Sequence, residues 1–429
     1  MTGTRAACCA TWFAMALLAL PQAASAAAEP ETARSRPLNV LFIVVDDLRS
    51  DLGCYGHPFV KTPHLDRLAK RGVRFERAYV QHPVCSPARG SFLSGRHTPG
   101  GLGDPLWKRD GFPGVEWMPE YFSKRGYTSI SVGKMSHATG PSSHMKWDVR
   151  SRAFTPDAVL ELMKEHKDKP LFVAYGPAHT HLSFRRTTPE FMAQYPPESI
   201  PPVDEPANVR DDLPAAAFEG INTRADIADA EHRKHLQSYY AAISTLDADI
   251  GKLMDGLDRL DAWENTVVLF VSDHGRHLGD QGKIYDKRTL FEASLHVPLI
   301  VVAPGKKTGA VSPRLVEMID IFPTFVDLCG LRPPEGLEGT SFAPLLDDPE
   351  RAWKPAAYSW TNAYQKGRGV RTERYRYAEW NDGRDAMLFD HEDDPREHVN
   401  LARDPAHAAT VAEMRRLFAE QARPARSSQ

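Results

Sequence analysis

Val40-Leu41-Phe42-Ile43-Val44-Val45, closed at once by Asp46-Asp47, is the stretch that decides the fold. A nearly continuous apolar run of this length predicts a strand covered on both faces. Comparable runs stand at 129–132 (SISV), 171–175 (LFVAY), 266–272 (TVVLFVS) and 298–303 (PLIVVA), each followed by polar or glycine-bearing residues. Between them, apolar positions recur at spacings of three and four over 64–71, 156–166 and 228–260, the last long enough to break once. Alternating strands and helices predict an α/β architecture, a large, mostly parallel sheet flanked by helices. In such sheets ligands gather beyond the carboxyl ends of the strands, so the residues just after these runs carry the functional reading.

Composition bounds the rest. With 429 residues the chain is too long for one ordinary core and predicts a large domain plus a smaller one, which excludes a small binding module. Hydrophobic residues at 42% and charged residues at 25% exclude wholesale disorder and a multi-span membrane protein. The 53 basic and 56 acidic side chains give a net charge of −3, so nothing global points to nucleic acid, and any anion site must be local. Residues 1–26 read as an export signal: Arg5 near the terminus, an apolar run over 8–20 and Ala24-Ser25-Ala26 as a cleavage site. That run falls short of the roughly 20 residues that span a bilayer, and no span is evident in the mature chain, so a periplasmic or secreted protein is expected. Six prolines over 196–214 predict an ordered surface excursion without regular structure. From about residue 351 a Tyr/Arg-rich texture and a charged helix-like tail predict a small α+β subdomain, 351–429, after a catalytic domain of 37–350.

Asp46-Asp47 and Asp273-His274 each follow a predicted buried strand. Any one of these acids alone reads as a turn cap. Together they imply more, because three carboxylates about 4 Å apart repel by roughly 4 kcal/mol per pair at an effective dielectric of 20. A bound cation relieves that repulsion, and oxygen ligands with one imidazole suit a hard ion such as Ca2+ or Mg2+. Outside the signal the cysteines are Cys54, Cys85 and Cys329, an odd number without disulfide-framework spacing. A lone cysteine is most often a small core residue, but Cys85 lies in Cys85-Ser86-Pro87-Ala88-Arg89, where Pro87 fixes the turn and Arg89 can bring a guanidinium beside residue 85 or bind an oxyanion.

Cys85, Pro87 and Arg89 spell Cys-x-Pro-x-Arg, and here the chain resembles the formylglycine-dependent sulfatases of the alkaline-phosphatase-like superfamily. The likeness runs from residue 39 to about 402 and includes Thr62-Pro63-His64-Leu65-Asp66 and the ending Leu388-Phe389-Asp390 to Asn400-Leu401. It implies the alkaline-phosphatase-like fold and oxidation of Cys85 by a maturation enzyme to an aldehyde, formylglycine, whose hydrate is the nucleophile. It further implies calcium, more readily than magnesium, held by Asp46, Asp47, Asp273, His274 and the modified Cys85. Within the family, Ser131-Val132-Gly133-Lys134-Met135-Ser136-His137, His296-Val297-Pro298 and the Asp273-His274 pair resemble the iduronate-2-sulfatase branch. Lys134, His137, His181 and Lys287 match the remaining active-site positions. Three departures stand out: Leu182-Ser183-Phe184 lacks the usual proline, Gln281 replaces a frequent histidine, and Asp286 is an extra residue before Lys287.

Each residue also has a plainer reading: Lys134 as an exposed strand-end lysine, Arg89 as the partner of an acid, His179 and His181 as turn residues. The basic and aromatic positions Lys366, Arg368, Arg371, Arg374, Tyr375, Arg376, Tyr377 and Trp380 fit either a solvated strand face or the rim of a sugar pocket. The resemblance implies a sulfuric ester hydrolase acting on a sulfated carbohydrate. Its rivals are a phosphonate or phosphate monoester hydrolase of the same superfamily and a non-catalytic binder of sulfated glycans.

Overall fold

A computed structural model describes residues 37–97, 115–137, 145–184, 187–361 and 366–421. The predicted export signal lies outside them. The first strand, β1 (Asn39–Val45), sends Val40, Phe42 and Val44 into one apolar layer and Leu41, Ile43 and Val45 into the other, as alternating side chains of a doubly covered strand must. It lies inside an eight-stranded sheet of order β4-β3-β5-β1-β6-β7-β2-β8, with β2 (Val73–Tyr79), β3 (Thr128–Gly133), β4 (Val149–Ser151), β5 (Leu171–Gly176), β6 (Thr266–Ser272), β7 (His296–Val302) and β8 (Ala310–Glu317). Only β7 runs against the others. Its amino end therefore lies at the edge where the other strands have their carboxyl ends, which brings the residues before it to the functional edge.

The helical stretch long enough to break once is continuous over Asp229–Arg259, 31 residues, with a long buried face against the second apolar layer. From its middle, Asp247 accepts hydrogen bonds from Leu65 N (2.7 Å) and His64 N (3.2 Å), capping the helix Pro63–Arg71 that Thr62 leaves uncapped. Thr62 and Asp66 look the other way: their side-chain oxygens take Gly53 N (2.8 Å) and Cys54 N (2.7 Å). The Thr62-to-Asp66 stretch is thus a buttress for the loop that leaves β1.

A second, antiparallel sheet follows, ordered β12-β11-β10-β9, from β9 (Ala357–Thr361), β10 (Gly367–Arg371), β11 (Tyr375–Trp380) and β12 (Asp385–Asp390). The helix Ala408–Gln421 covers one face with Met414, Leu417 and Phe418 on Val370, Tyr377 and Leu388. Asn400 Oδ1 accepts from Leu388 N (3.0 Å), so the family-like ending pins the tail to β12. The arginines of this region are consumed by acids. Arg376, almost wholly buried, bridges Glu292 and Glu397; Arg374 grips Asp390 (2.6 Å) and Arg368 grips Glu379 (2.7 Å). These contacts favour a structural role over the rim of a sugar pocket. Cys54, Cys85 and Cys329 are free thiols, and among the described residues no helix is long and apolar enough to cross a membrane.

Candidate active site

The β1–β6 register sets Val45 beside Ser272, so the residues that follow, Asp46-Asp47 and Asp273-His274, emerge side by side. Asp273 N donates to Val45 O (2.9 Å) and Asp47 N donates to Asp273 Oδ1 (3.2 Å). Asp47 takes a left-handed backbone (φ 61°), which non-glycine residues adopt uncommonly. Two hydroxyls hold the turn: Thr180 donates to Asp46 O (2.5 Å), while Tyr239 donates to Asp47 O (3.0 Å) and accepts from Arg49 N (2.9 Å).

Cys85 opens the helix Cys85–Ser94, and its buried Sγ lies 3.4 Å from Asp46 Oδ1, 3.1 Å from His274 Nε2 and 3.0 Å from Lys287 Nζ. One turn along the same helix, Arg89 pairs through Nε with Asp273 Oδ2 (2.9 Å) and donates to the Lys134 carbonyl. From the end of β3, the Lys134 ammonium meets Asp46 Oδ2; Lys287 reaches Asp47 Oδ1 (2.6 Å). His137 and His181, after β3 and β5, lie beside the Cys85 thiol. The ten residues singled out in the sequence therefore converge. His179 does not join them; it pairs with Asp249 (3.2 Å) on the long helix.

Arg89 occupies a different place from the one expected of an oxyanion binder. Its side chain is 0% exposed and is engaged by Asp273 and the Lys134 carbonyl, so it has no solvent-exposed face to offer a substrate. Two neighbours escaped the sequence reading. Arg276 Nη1 pairs with Asp47 Oδ2 (2.9 Å), and Tyr239 carries the turn just described. The three departures also have places: Leu182 and Ser183 are exposed beside His181 with Phe184 buried against Tyr239, Gln281 donates to the Arg396 carbonyl (2.7 Å), and Asp286 is buried, accepting from Asn222 N (2.9 Å).

Charge compensation dominates the electrostatics. Burial opposes ionisation of Asp46, but Arg89 above all, then Lys134 and Lys287, hold its carboxyl down to about 2. Burial likewise opposes Asp47, where Lys287, then His274 and Arg276, bring it below the ordinary carboxylate value. Burial and the neighbouring Asp46 push Asp273 up. At His274 burial disfavours the charge, yet Asp273 raises it to about 9. For the Cys85 thiol, burial is outweighed by His274 and Lys287, which hold it well below a free cysteine. The hydrogen bond to Cys85 raises His181.

Donor atoms of Asp46, Cys85, Asp273 and His274 all lie within 4.8 Å of one another. A hard cation with bonds of about 2.3–2.6 Å spans opposed donors about 5 Å apart, so the residues present fit one divalent ion. Sulfur is the ill-matched member: a soft thiol stands where an oxygen ligand suits such an ion. Asp46, Asp47 and His181 form an overlapping grouping at the same place, while Glu292, His391 and Glu397, a separate one, already surround the Arg376 guanidinium through the two glutamates.

The sulfatase family profile matches residues 38–331, more than half of the chain. The chain belongs to the sulfatase family. A second profile, the N-sulphoglucosamine sulphohydrolase C-terminal region, matches residues 279–423 of this sulfatase. Human iduronate 2-sulfatase is 30% identical over 394 residues, covering 71% of each chain. A solved complex of a protein with its substrate D-glucosamine-2-N,6-O-disulfate superposes with a TM-score of 0.77 at 21% identity, over 90% of this chain and 97% of that one. The phosphonate monoester hydrolase of Silicibacter pomeroyi also gives 0.77, at 22% identity, over 90% and 95%. At these identities the two structures show a shared alkaline-phosphatase-like fold.

Proposed function

We propose that this sulfatase releases inorganic sulfate from a sulfated carbohydrate of the kind iduronate 2-sulfatase acts on, using a formylglycine made from Cys85 and a calcium ion. The carrying observation is the convergence on Cys85 of the Asp46 and Asp273 carboxylates, His274 and the ammonium of Lys287, with Asp47 held against that lysine. Asp46, Asp47, Asp273 and His274, with an oxygen at residue 85, would hold the calcium. When present, the hydrated aldehyde supplies the nucleophilic oxygen and the ion neutralises charge on the sulfate oxygens.

The remaining work falls to this chain's own side chains. A sulfate monoester is an anion, and Lys134 and Lys287 bring ammonium groups to the cluster around residue 85 to neutralise its oxygens. His181, charged more readily than a free histidine, donates a proton to the departing alcohol oxygen with Lys287 beside it, worth on the order of 10²–10⁴-fold in rate. His137 removes a proton at residue 85 so that sulfate can leave. Arg89 and Arg276 orient Asp273 and Asp47.

Maturation requires a formylglycine-generating enzyme as partner, and the apolar leader fits delivery to the periplasm or beyond. We divide the mature chain into a catalytic domain, 37–350, and a subdomain, 351–429, that begins just before β9. Peptide mass spectrometry at residue 85 tests the central claim: an aldehyde is expected after co-expression with maturation machinery. Cys85→Ala should fold and lose turnover, and full activity in that variant would refute the nucleophile.

The fold shared with a phosphonate monoester hydrolase supports a second reading, hydrolysis of phosphonate or phosphate esters. Parallel assays on sulfate and phosphate esters of one alcohol decide it; higher kcat/KM on phosphate reverses the order.

A further inference from the structure

Lys287 must reach the cluster from an irregular segment between β6 and β7, and that segment is fastened from behind. Tyr285 N donates to Asn222 O (2.9 Å), Arg224 N to Lys283 O (3.0 Å) and His277 N to Asp286 O (2.7 Å). At the centre of the fastening stands the Asp286 carboxylate, 7% exposed. Its Oδ1 accepts from Lys287 N (2.7 Å) and Arg288 Nε (2.8 Å), and its Oδ2 from Asn222 N (2.9 Å) and Arg288 Nη2. Arg288 Nη2 also donates to Gly220 O (3.2 Å), and the Arg288 carbonyl accepts from Thr361 Oγ1 (3.2 Å) of β9. Side chains 286 and 288 thus turn to the 220–222 segment, and Lys287 between them turns the opposite way, to Asp47 and Cys85.

We propose that Asp286, gripped at two points by Arg288, is the positioning residue that aims the Lys287 ammonium at residue 85. A lysine head on a four-carbon stem is held in place only as well as its backbone is. The Asp286 carboxylate binds the Lys287 amide, the neighbouring guanidinium and the opposing loop together. The inference rests on the role given to Lys287 above.

A double-mutant cycle tests it, run on matured enzyme with 4-nitrophenyl sulfate or a disaccharide bearing a 2-O-sulfated uronic acid, whichever gives the higher kcat/KM. Asp286→Asn keeps the shape and removes the charge; it should lower kcat about ten-fold or more with KM changed less than about two-fold. Combined with Lys287→Ala it should add almost nothing, because the lysine it aims is gone. Arg288→Lys, which keeps the charge and loses the two-point grip, should behave in the same direction and carries the cycle if Asp286→Asn fails to fold. Losses that multiply in the double variant, or wild-type kcat in Asp286→Asn, overturn the inference while leaving Lys287 in its role. Wild-type turnover in Lys287→Ala removes that role itself, and the inference with it.

Discussion

Tyr239→Phe isolates a single oxygen behind the Asp46-Asp47 turn. The phenol is fully buried, and burial keeps it protonated. Its ring packs at an edge-to-face angle on Phe184 with centroids 5.6 Å apart, a contact that phenylalanine retains. Lost are the donation to Asp47 O (3.0 Å) and the acceptance from Arg49 N (2.9 Å). Removing the oxygen leaves almost no cavity, so the cost is that of two unsatisfied backbone groups, about 1–3 kcal/mol each. Because Asp47 is left-handed, its strain is then opposed by one fewer restraint. The expected destabilisation is about 2–6 kcal/mol, toward the lower end if a water replaces the hydroxyl. Urea unfolding at constant m-value measures it, with and without calcium, and calorimetry should show weaker calcium binding. A loss under about 0.5 kcal/mol together with unchanged calcium affinity would refute the claim that this hydroxyl holds the turn.

Asp273→Ala should weaken calcium binding more than about 10-fold by calorimetry, and full affinity would remove it from the ligand set. Arg376→Met strands Glu292 and Glu397 without their shared cation; it should cost about 3–5 kcal/mol in chemical unfolding, against about 1 kcal/mol if the pairs are superficial. Asp280 is held at about 2: burial would raise it, but Arg49 and then His277 outweigh burial. Its stabilising contribution is therefore complete above the ordinary carboxyl value of 3.8 and drains away as pH falls through about 2. In Asp280→Asn the acid limb of a stability–pH curve between about 4 and 2 should flatten by about 1–2 kcal/mol, after allowance for partial exposure.

The five strands legible in the sequence, β1, β3, β5, β6 and β7, are those whose burial on both faces leaves an apolar run. Strand β2 hides because Arg74, Glu76 and Arg77 interrupt it and its ladder shifts register, while β8, at the sheet edge, carries Pro313 and Arg314, which break its apolar run. The acids of the site were legible from position alone, since each follows a legible strand. Cys85 and Arg89 were legible from a motif. Tyr239 was not, because its ring obeys the helical periodicity of a core residue and only its oxygen serves the site. Asp286 registered as a displacement of Lys287; that it fastens Lys287 is visible only through the distant backbone of Asn222.

Position in the pocket divides the cations into two kinds. Asp46, Asp47 and Asp273 face Arg89, Lys134, Arg276 and Lys287, so three carboxylates are met by four fixed cations before any metal is counted. A divalent ion added to this set makes the locality strongly positive, which lets a chain of net charge −3 concentrate an anionic ester at one point. The arginines are sealed, with side chains 0% and 4% exposed, whereas both lysines keep 19% of theirs accessible. Arginine's planar fork suits permanent pairing with a carboxylate, and lysine's mobile point charge suits a partner that arrives and leaves. Replacing either arginine should therefore act first on calcium binding and stability, and replacing either lysine first on turnover.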